Sequence, residues 1–64
     1  MKTYTLNFDK VFDSCTYAQL QYLTSFKNVK VNVKSTSQIL KRLSKIDASD
    51  LIEIAKTGEE IIIK

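Results

Sequence analysis

The chain has 64 residues, with 10 Lys and Arg against 7 Asp and Glu, one Cys and no His. This length corresponds to a single small domain, residues 1–64, with a thin hydrophobic core. A Ser–His or Cys–His nucleophile pair and an ordinary zinc site are excluded, because there is no imidazole and only one thiol. We therefore expect no enzymatic activity, no cofactor and no metal ion, and a function in binding.

The single cysteine also bears on the compartment. Cys15 has no second thiol with which to form an internal disulfide, which favours a reducing compartment. No apolar run approaches the roughly 20 residues that a membrane-spanning helix needs, and the N-terminal residues lack the apolar stretch of a signal peptide. We expect a cytoplasmic protein that does not associate with membranes.

Three segments have the side-chain patterns of β-strands. Residues 2–8 alternate between polar and apolar, which predicts one buried side, formed by Tyr4, Leu6 and Phe8. Residues 29–34 alternate more cleanly, with three valines on one side and Lys30 and Lys34 on the other. Residues 61–63 are three consecutive isoleucines, which indicates a short strand that is covered on both faces or lies in an interface.

Helix starts are indicated by a capping residue followed three positions later by a longer polar side chain. This pattern occurs at Thr16 and Gln19, at Ser35 and Gln38 and, in an acidic form, at Asp50 and Glu53. It predicts helices over residues 17–26, 36–46 and 50–57, with residues 47–50 as the turn between the last two. Asp47 or Ser49 could cap the third helix instead. The only glycine, Gly58, is placed to end the last helix.

The predicted order is strand, helix, strand, helix, helix, strand. Because the first two strands each have one polar face, the helices must all cover the other face. The fold class is therefore a small two-layer α/β sandwich with the order β-α-β-α-α-β, a three-stranded sheet and the helices on one face.

Charge is distributed unevenly along the sequence. No acidic residue occurs between Asp13 and Asp47, whereas residues 47–64 carry five carboxylates and two lysines. The basic stretch offers five candidate partner-binding residues: Lys30, Lys34, Lys41, Arg42 and Lys45. Such a surface attracts phosphate groups or an acidic protein surface. Lysines on an edge strand and on a helix face also keep a small protein soluble and prevent edge pairing, and this alternative stays open.

Two other features have competing interpretations. Ile61, Ile62 and Ile63 form a candidate homodimer interface, because a small chain has difficulty covering both faces of such a strand. The alternative is a central strand within the monomer. Cys15 precedes the first predicted helix, where the helix dipole would lower the pKa of a thiol. The alternative, a small apolar residue beneath the helix, is favoured because no resolving Cys or activating His is present.

Residues 50–64, DLIEIAKTGEEIIIK, resemble the helix-to-strand segment of Phd/YefM-type antitoxins, and residues 30–34, KVNVK, are loosely similar to the strand that opens that domain. The resemblance covers about a quarter of the chain and implies a dimer that binds operator DNA and neutralises a toxin. The layout of the chain is also similar to that of phosphocarrier HPr-like domains. The phosphorylated His of that family has no counterpart here, so this likeness implies a carrier-type domain without its chemistry.

Together these observations predict a small non-enzymatic binding protein that acts as an inhibitor, antitoxin-like or regulatory subunit of a partner protein with an acidic surface. The first alternative is a nucleic-acid-binding regulator that uses the basic face of residues 27–45. The second is a degenerate carrier-type domain.

Overall fold

The computed structural model describes residues 1–64 and has the predicted order of elements. The strands are β1 (Lys2–Tyr4), β2 (Val29–Val31) and β3 (Ile61–Ile63), and the helices are α1 (Tyr17–Thr24), α2 (Thr36–Arg42) and α3 (Lys45–Lys56). They form a two-layer α/β sandwich in which the helices cover one face of a three-stranded sheet. None of the helices is both long and apolar enough to cross a membrane.

The sheet is entirely parallel and has the order β1-β3-β2, so β3 is its central strand. Ile61 and Ile63 point to the helices and are fully buried. Burial of one such side chain is worth about 1.5 to 3 kcal/mol, so these two residues stabilise the contact between sheet and helices substantially. The alternative in which residues 61–63 form a central strand within the monomer is confirmed, whereas cover on both faces is not found, because only one face carries helices.

The opposite face of the sheet carries no helix. In the middle of each strand, Thr3, Ile62 and Lys30 are aligned side by side on this open face. Ile62 is half-buried, and its two strand neighbours are exposed.

The helix ends confirm several predictions made from the sequence. The Thr16 hydroxyl accepts a hydrogen bond from the Gln19 backbone N–H, and the Gln19 side chain accepts one from the Thr16 N–H, both at 3.0 Å. Ser35 caps α2 by accepting from the Gln38 N–H at 3.4 Å. Gly58 follows α3 with a φ of +89°, a left-handed conformation that favours glycine at a helix end.

The boundary between the last two helices was predicted wrongly. Residues 47–50 lie inside α3, and the chain turns instead at Leu43 and Ser44. Leu43 is extended and fully buried, and the Ser44 hydroxyl caps α3 by accepting from the Asp47 N–H at 3.1 Å. Ile46, which the sequence predicted to be the last residue of the second helix, is consequently 70% exposed in the first turn of α3.

Candidate functional site

A long connection, residues 5–16, joins β1 to α1 and packs against the C-terminal end of α2. Its backbone N–H groups at Asn7, Val11 and Cys15 donate to the carbonyls of Arg42, Lys41 and Leu43, at 3.2, 2.8 and 2.8 Å respectively. The last carbonyls of a helix have no partner within the helix, so the loop satisfies them. The loop conformation is therefore fixed by α2, although it contains no helix or strand of its own.

This loop displays two phenylalanines to solvent. Phe8 is 92% exposed and Phe12 is as exposed as an isolated residue. Phe is among the residues most often buried, so two such side chains on one short loop form an unusual feature. The sequence prediction that Phe8 belongs to the core is wrong, because β1 ends at Tyr4 and the alternation does not continue into the loop. Leu6 is buried as predicted.

Cationic side chains surround the end of α2 that the loop caps. Lys41 and Arg42 occupy its last turn, and Lys45 lies in the first turn of α3. The Lys45 ammonium is 3.7 Å from a carboxylate oxygen of Asp13, an exposed ion pair, and the Lys45 backbone N–H donates to the Asp13 carbonyl at 2.9 Å. These bonds hold the loop against the start of α3 as well as the end of α2.

Arg42 is the least exposed of these cations. One of its terminal nitrogens, Nη2, donates to Gln38 Oε1 at 3.1 Å, while its Nε is buried and has no hydrogen-bond partner. Its carbonyl accepts from both the backbone N–H and the side-chain amide of Asn7. Arg42 is therefore held in place by its backbone, and its guanidinium lies at the edge of the exposed surface.

We call this region the basic–aromatic surface and define it as Phe8, Phe12, Lys41, Arg42 and Lys45. It combines apolar rings that are solvent-exposed in the free protein with cationic side chains that can donate hydrogen bonds. Such a surface can bury the rings in a partner and pair the cations with carboxylates or phosphates. Sequence reasoning found the three cations and missed both rings. In the sequence, only the charged residues Lys10 and Asp13, within two positions of Phe12, indicate a position outside a core element.

The other two predicted partner-binding residues lie elsewhere. Lys34 directly precedes the cap of α2, at the opposite end of that helix from Arg42, and Lys30 lies on the open face of the sheet. The five cations that the sequence grouped together thus form two separate clusters.

The candidate dimer interface is reduced to one residue. Ile61 and Ile63 are buried beneath the helices and are not available to a second copy of the chain, which corrects their assignment to an interface. Ile62 alone faces away from the helices, and it is half-buried within the monomer.

Cys15 is 5% exposed and belongs to the hydrophobic core. Burial raises the pKa of its thiol, opposite to the effect expected from its place before α1. The interpretation of Cys15 as a small apolar residue beneath the first helix is therefore the one that fits. No cluster of three or more His, Cys, Asp or Glu side chains is arranged to hold a metal ion.

A scan against protein-family models finds no match, and comparisons with curated proteins and with solved structures find no significant similarity.

Proposed function

We propose that this chain is a non-enzymatic binding protein of the cytoplasm, which inhibits or regulates a partner protein by docking its basic–aromatic surface against an acidic patch. The observation that carries the proposal is the pair of exposed phenylalanines, 92% exposed at Phe8 and fully exposed at Phe12, on a loop whose backbone is hydrogen-bonded to the cationic end of α2. Aromatic residues and Arg are enriched at the centres of protein interfaces, where they contribute most of the binding free energy.

Preorganisation supports this assignment. The loop that carries the rings is bonded at three backbone positions to the end of α2, so little backbone entropy is lost when a partner buries the rings. The net charge of +3 and the cations around the rings would also accelerate association with an acidic surface.

Single-stranded nucleic acid is the second candidate ligand, because bases stack on exposed aromatic rings while cations neutralise the phosphates. The same two rings and three cations favour it. The charge of the whole protein is mild for a dedicated nucleic-acid-binding protein, and we therefore rank this function second. An antitoxin-like role would be one form of the proposed inhibition, and a degenerate carrier domain would need neither exposed ring.

The test is affinity capture from native lysate, with and without nuclease treatment, with four forms of the chain. These are the wild type, the double variant Phe8→Ser/Phe12→Ser, the triple variant Lys41→Glu/Arg42→Glu/Lys45→Glu, and a control triple variant. The control is Lys27→Glu/Lys56→Glu/Lys64→Glu, which changes the net charge equally, since each of the three substitutions lowers it by two.

The proposal predicts that a defined protein is retained by the wild type and by the control and is lost from the other two forms. Far-UV circular dichroism should be unchanged in all four, because none of the substituted side chains lies in the core. Equal capture by all four forms would contradict the proposal. Capture that disappears with nuclease treatment, together with submicromolar binding to single-stranded oligonucleotides at physiological salt, would favour the second candidate.

A further inference from the structure

The outer edge of β2 presents unpaired backbone groups. Asn28 accepts a hydrogen bond from the Ile61 N–H and Asn32 donates one to the Ile63 carbonyl, each at 2.8 Å. In a parallel pair of strands, alternate residues bond to the same neighbour. The N–H and C=O groups of Val31 therefore point away from the sheet. The backbone of Val33, just beyond β2, takes part in none of the hydrogen bonds of the surrounding loops. An exposed edge of this kind can pair with another strand.

A groove of about 400 Å³ runs beside this edge, on the face of the sheet that the helices cover. Its floor is formed by the valines of residues 29–33, and its wall by α1, from which Tyr17, Gln21 and Thr24 face the groove. Ile39 of α2 closes one end. A strand added to β2 would direct every second side chain into this groove, because side chains alternate between the two faces of a sheet.

The other face of the same edge is cationic. Lys30 projects from the open face, Lys27 lies just before β2, Lys34 lies three residues beyond it, and all three are exposed. The protein's two ion pairs are formed by Lys45 and Lys56, so these three lysines have no acidic partner within the chain. Glu60 lies in the same recess as Lys27 and Lys30, but not within ion-pair distance of either. A strand added here would therefore bring its outward side chains beside unpaired positive charge.

From this geometry we infer that the β2 edge is a second binding site, which takes an extended peptide segment of a partner protein in which apolar residues alternate with Asp or Glu. The main chain of the segment bonds to Val31 and Val33, its apolar side chains enter the groove, and its carboxylates pair with Lys30 and Lys34. This is strand addition, a mode in which backbone bonds give affinity and alternate side-chain positions give selectivity. The site is distinct from the basic–aromatic surface and does not depend on the function proposed for it.

Charge also argues against a second copy of this chain as the occupant. Pairing of two β2 edges would set the lysines of residues 27–34 against the same lysines of the other copy, and like charges placed opposite each other across strands are destabilising. The lysines thus disfavour self-pairing and favour an acidic strand through the same interaction.

The experiment uses a fluorescent peptide whose central six residues alternate Val and Glu, and measures its binding to the intact protein by fluorescence polarisation. Two matched peptides serve as controls: one with Lys in place of Glu, and one N-methylated on the backbone amides that would pair with β2. The inference predicts at least tenfold tighter binding of the Glu peptide than of either control. Backbone NMR shifts should change at residues 29–34 and along α1, and not at Phe8 or Phe12.

Protein variants locate the site independently. Lys30→Glu/Lys34→Glu should reverse the preference, so that the Lys peptide binds better than the Glu peptide, whereas Lys41→Glu/Lys45→Glu, with the same change of charge, should leave the preference intact. Val33→Pro removes one outward N–H just beyond β2, where proline is tolerated, and should weaken binding at least tenfold. No binding of the Glu peptide at millimolar concentration would overturn the inference. So would equal binding of the N-methylated peptide, or concentration-dependent self-association blocked by Val33→Pro, which would make a second copy the occupant.

Discussion

The Tyr4 hydroxyl donates a hydrogen bond to the Asp47 carboxylate, with an Oη–Oδ2 distance of 2.7 Å. The bond connects the edge strand β1 to the first turn of α3, across 43 residues of sequence. Burial, together with the hydrogen bond and the negative charge of Asp47, raises the pKa of Tyr4 to about 12 from an ordinary value of 10.0. A neutral tyrosine that donates to a carboxylate resists ionisation for these reasons.

This bond predicts a stability difference that depends on pH. Tyr4→Phe should lower the free energy of unfolding by about 1 kcal/mol at neutral pH, because one partly buried hydrogen bond is lost. Since the pKa of Tyr4 is higher in the folded state, the bond's contribution is complete below pH 10 and disappears as pH rises from 10 to about 12. The difference between wild type and Tyr4→Phe in urea unfolding should therefore vanish over that range.

Absorbance at 295 nm gives an independent check, because the chain has three tyrosines. One of them should titrate near pH 12 in the wild type, and this late transition should be missing from Tyr4→Phe. A double-mutant cycle with Asp47→Asn should show coupling between the two positions. Additive effects of the two substitutions would contradict the role given to the bond.

The serine between α2 and α3 carries the second prediction. Ser44→Ala removes the cap that receives the Asp47 N–H and should destabilise the protein by about 1 kcal/mol. Ser49→Ala is the matched control, since Ser49 is exposed inside the same helix, where alanine is at least as favourable. Chemical denaturation of both variants provides the measurement. Equal stability of the two variants would mean that the helix does not depend on the Ser44 cap.

Two neighbouring isoleucines of β3, Ile62 and Ile63, should respond differently to substitution by lysine. Ile63→Lys places a charge beneath the helices, at a position with no exposed area, and should prevent folding at room temperature. The side chain at position 62 faces the open side of the sheet, so Ile62→Lys should leave a folded protein. Circular dichroism and thermal unfolding can establish this. A folded Ile63→Lys variant would contradict the assignment of the covered face.

Sedimentation equilibrium completes this comparison. If copies of the chain associate through the open face of the sheet, the wild type should exceed its mass of 7.3 kDa at tens of micromolar, and Ile62→Lys should restore the monomer. A wild-type monomer throughout this range would remove the homodimer alternative.

The fold was largely predictable because its signals are local. The caps at Thr16 and Ser35, the left-handed Gly58 and the alternation of residues 29–33 each depend on a few neighbouring residues. The boundary between α2 and α3 could not be predicted in this way, because Ser44, Asp47 and Asp50 are all acceptable capping residues. The choice among them is associated with distant contacts, the hydrogen bonds that Leu43 and Lys45 make with the loop of residues 13–15.

The candidate site was predictable only in its charges. The three cations of the basic–aromatic surface follow directly from the distribution of charge along the sequence. The exposure of Phe8 and Phe12 depends instead on where β1 ends and on how the following loop packs against α2. Both are tertiary effects, since an alternating pattern does not show where a strand stops. The division of the five predicted cations into two clusters likewise follows from the direction of α2, which runs from the end of β2 to the loop after β1.

The most direct test of the proposed function places a photo-crosslinking residue on the basic–aromatic surface. Benzoylphenylalanine should replace Phe12 in one protein and Tyr22 in another, because Tyr22 is 50% exposed on α1, outside this surface. After irradiation in native lysate, we predict a discrete protein adduct from position 12 that resists nuclease, and no corresponding adduct from position 22. Adducts with nucleic acid alone, or the same adducts from both positions, would contradict a protein-binding role for this surface.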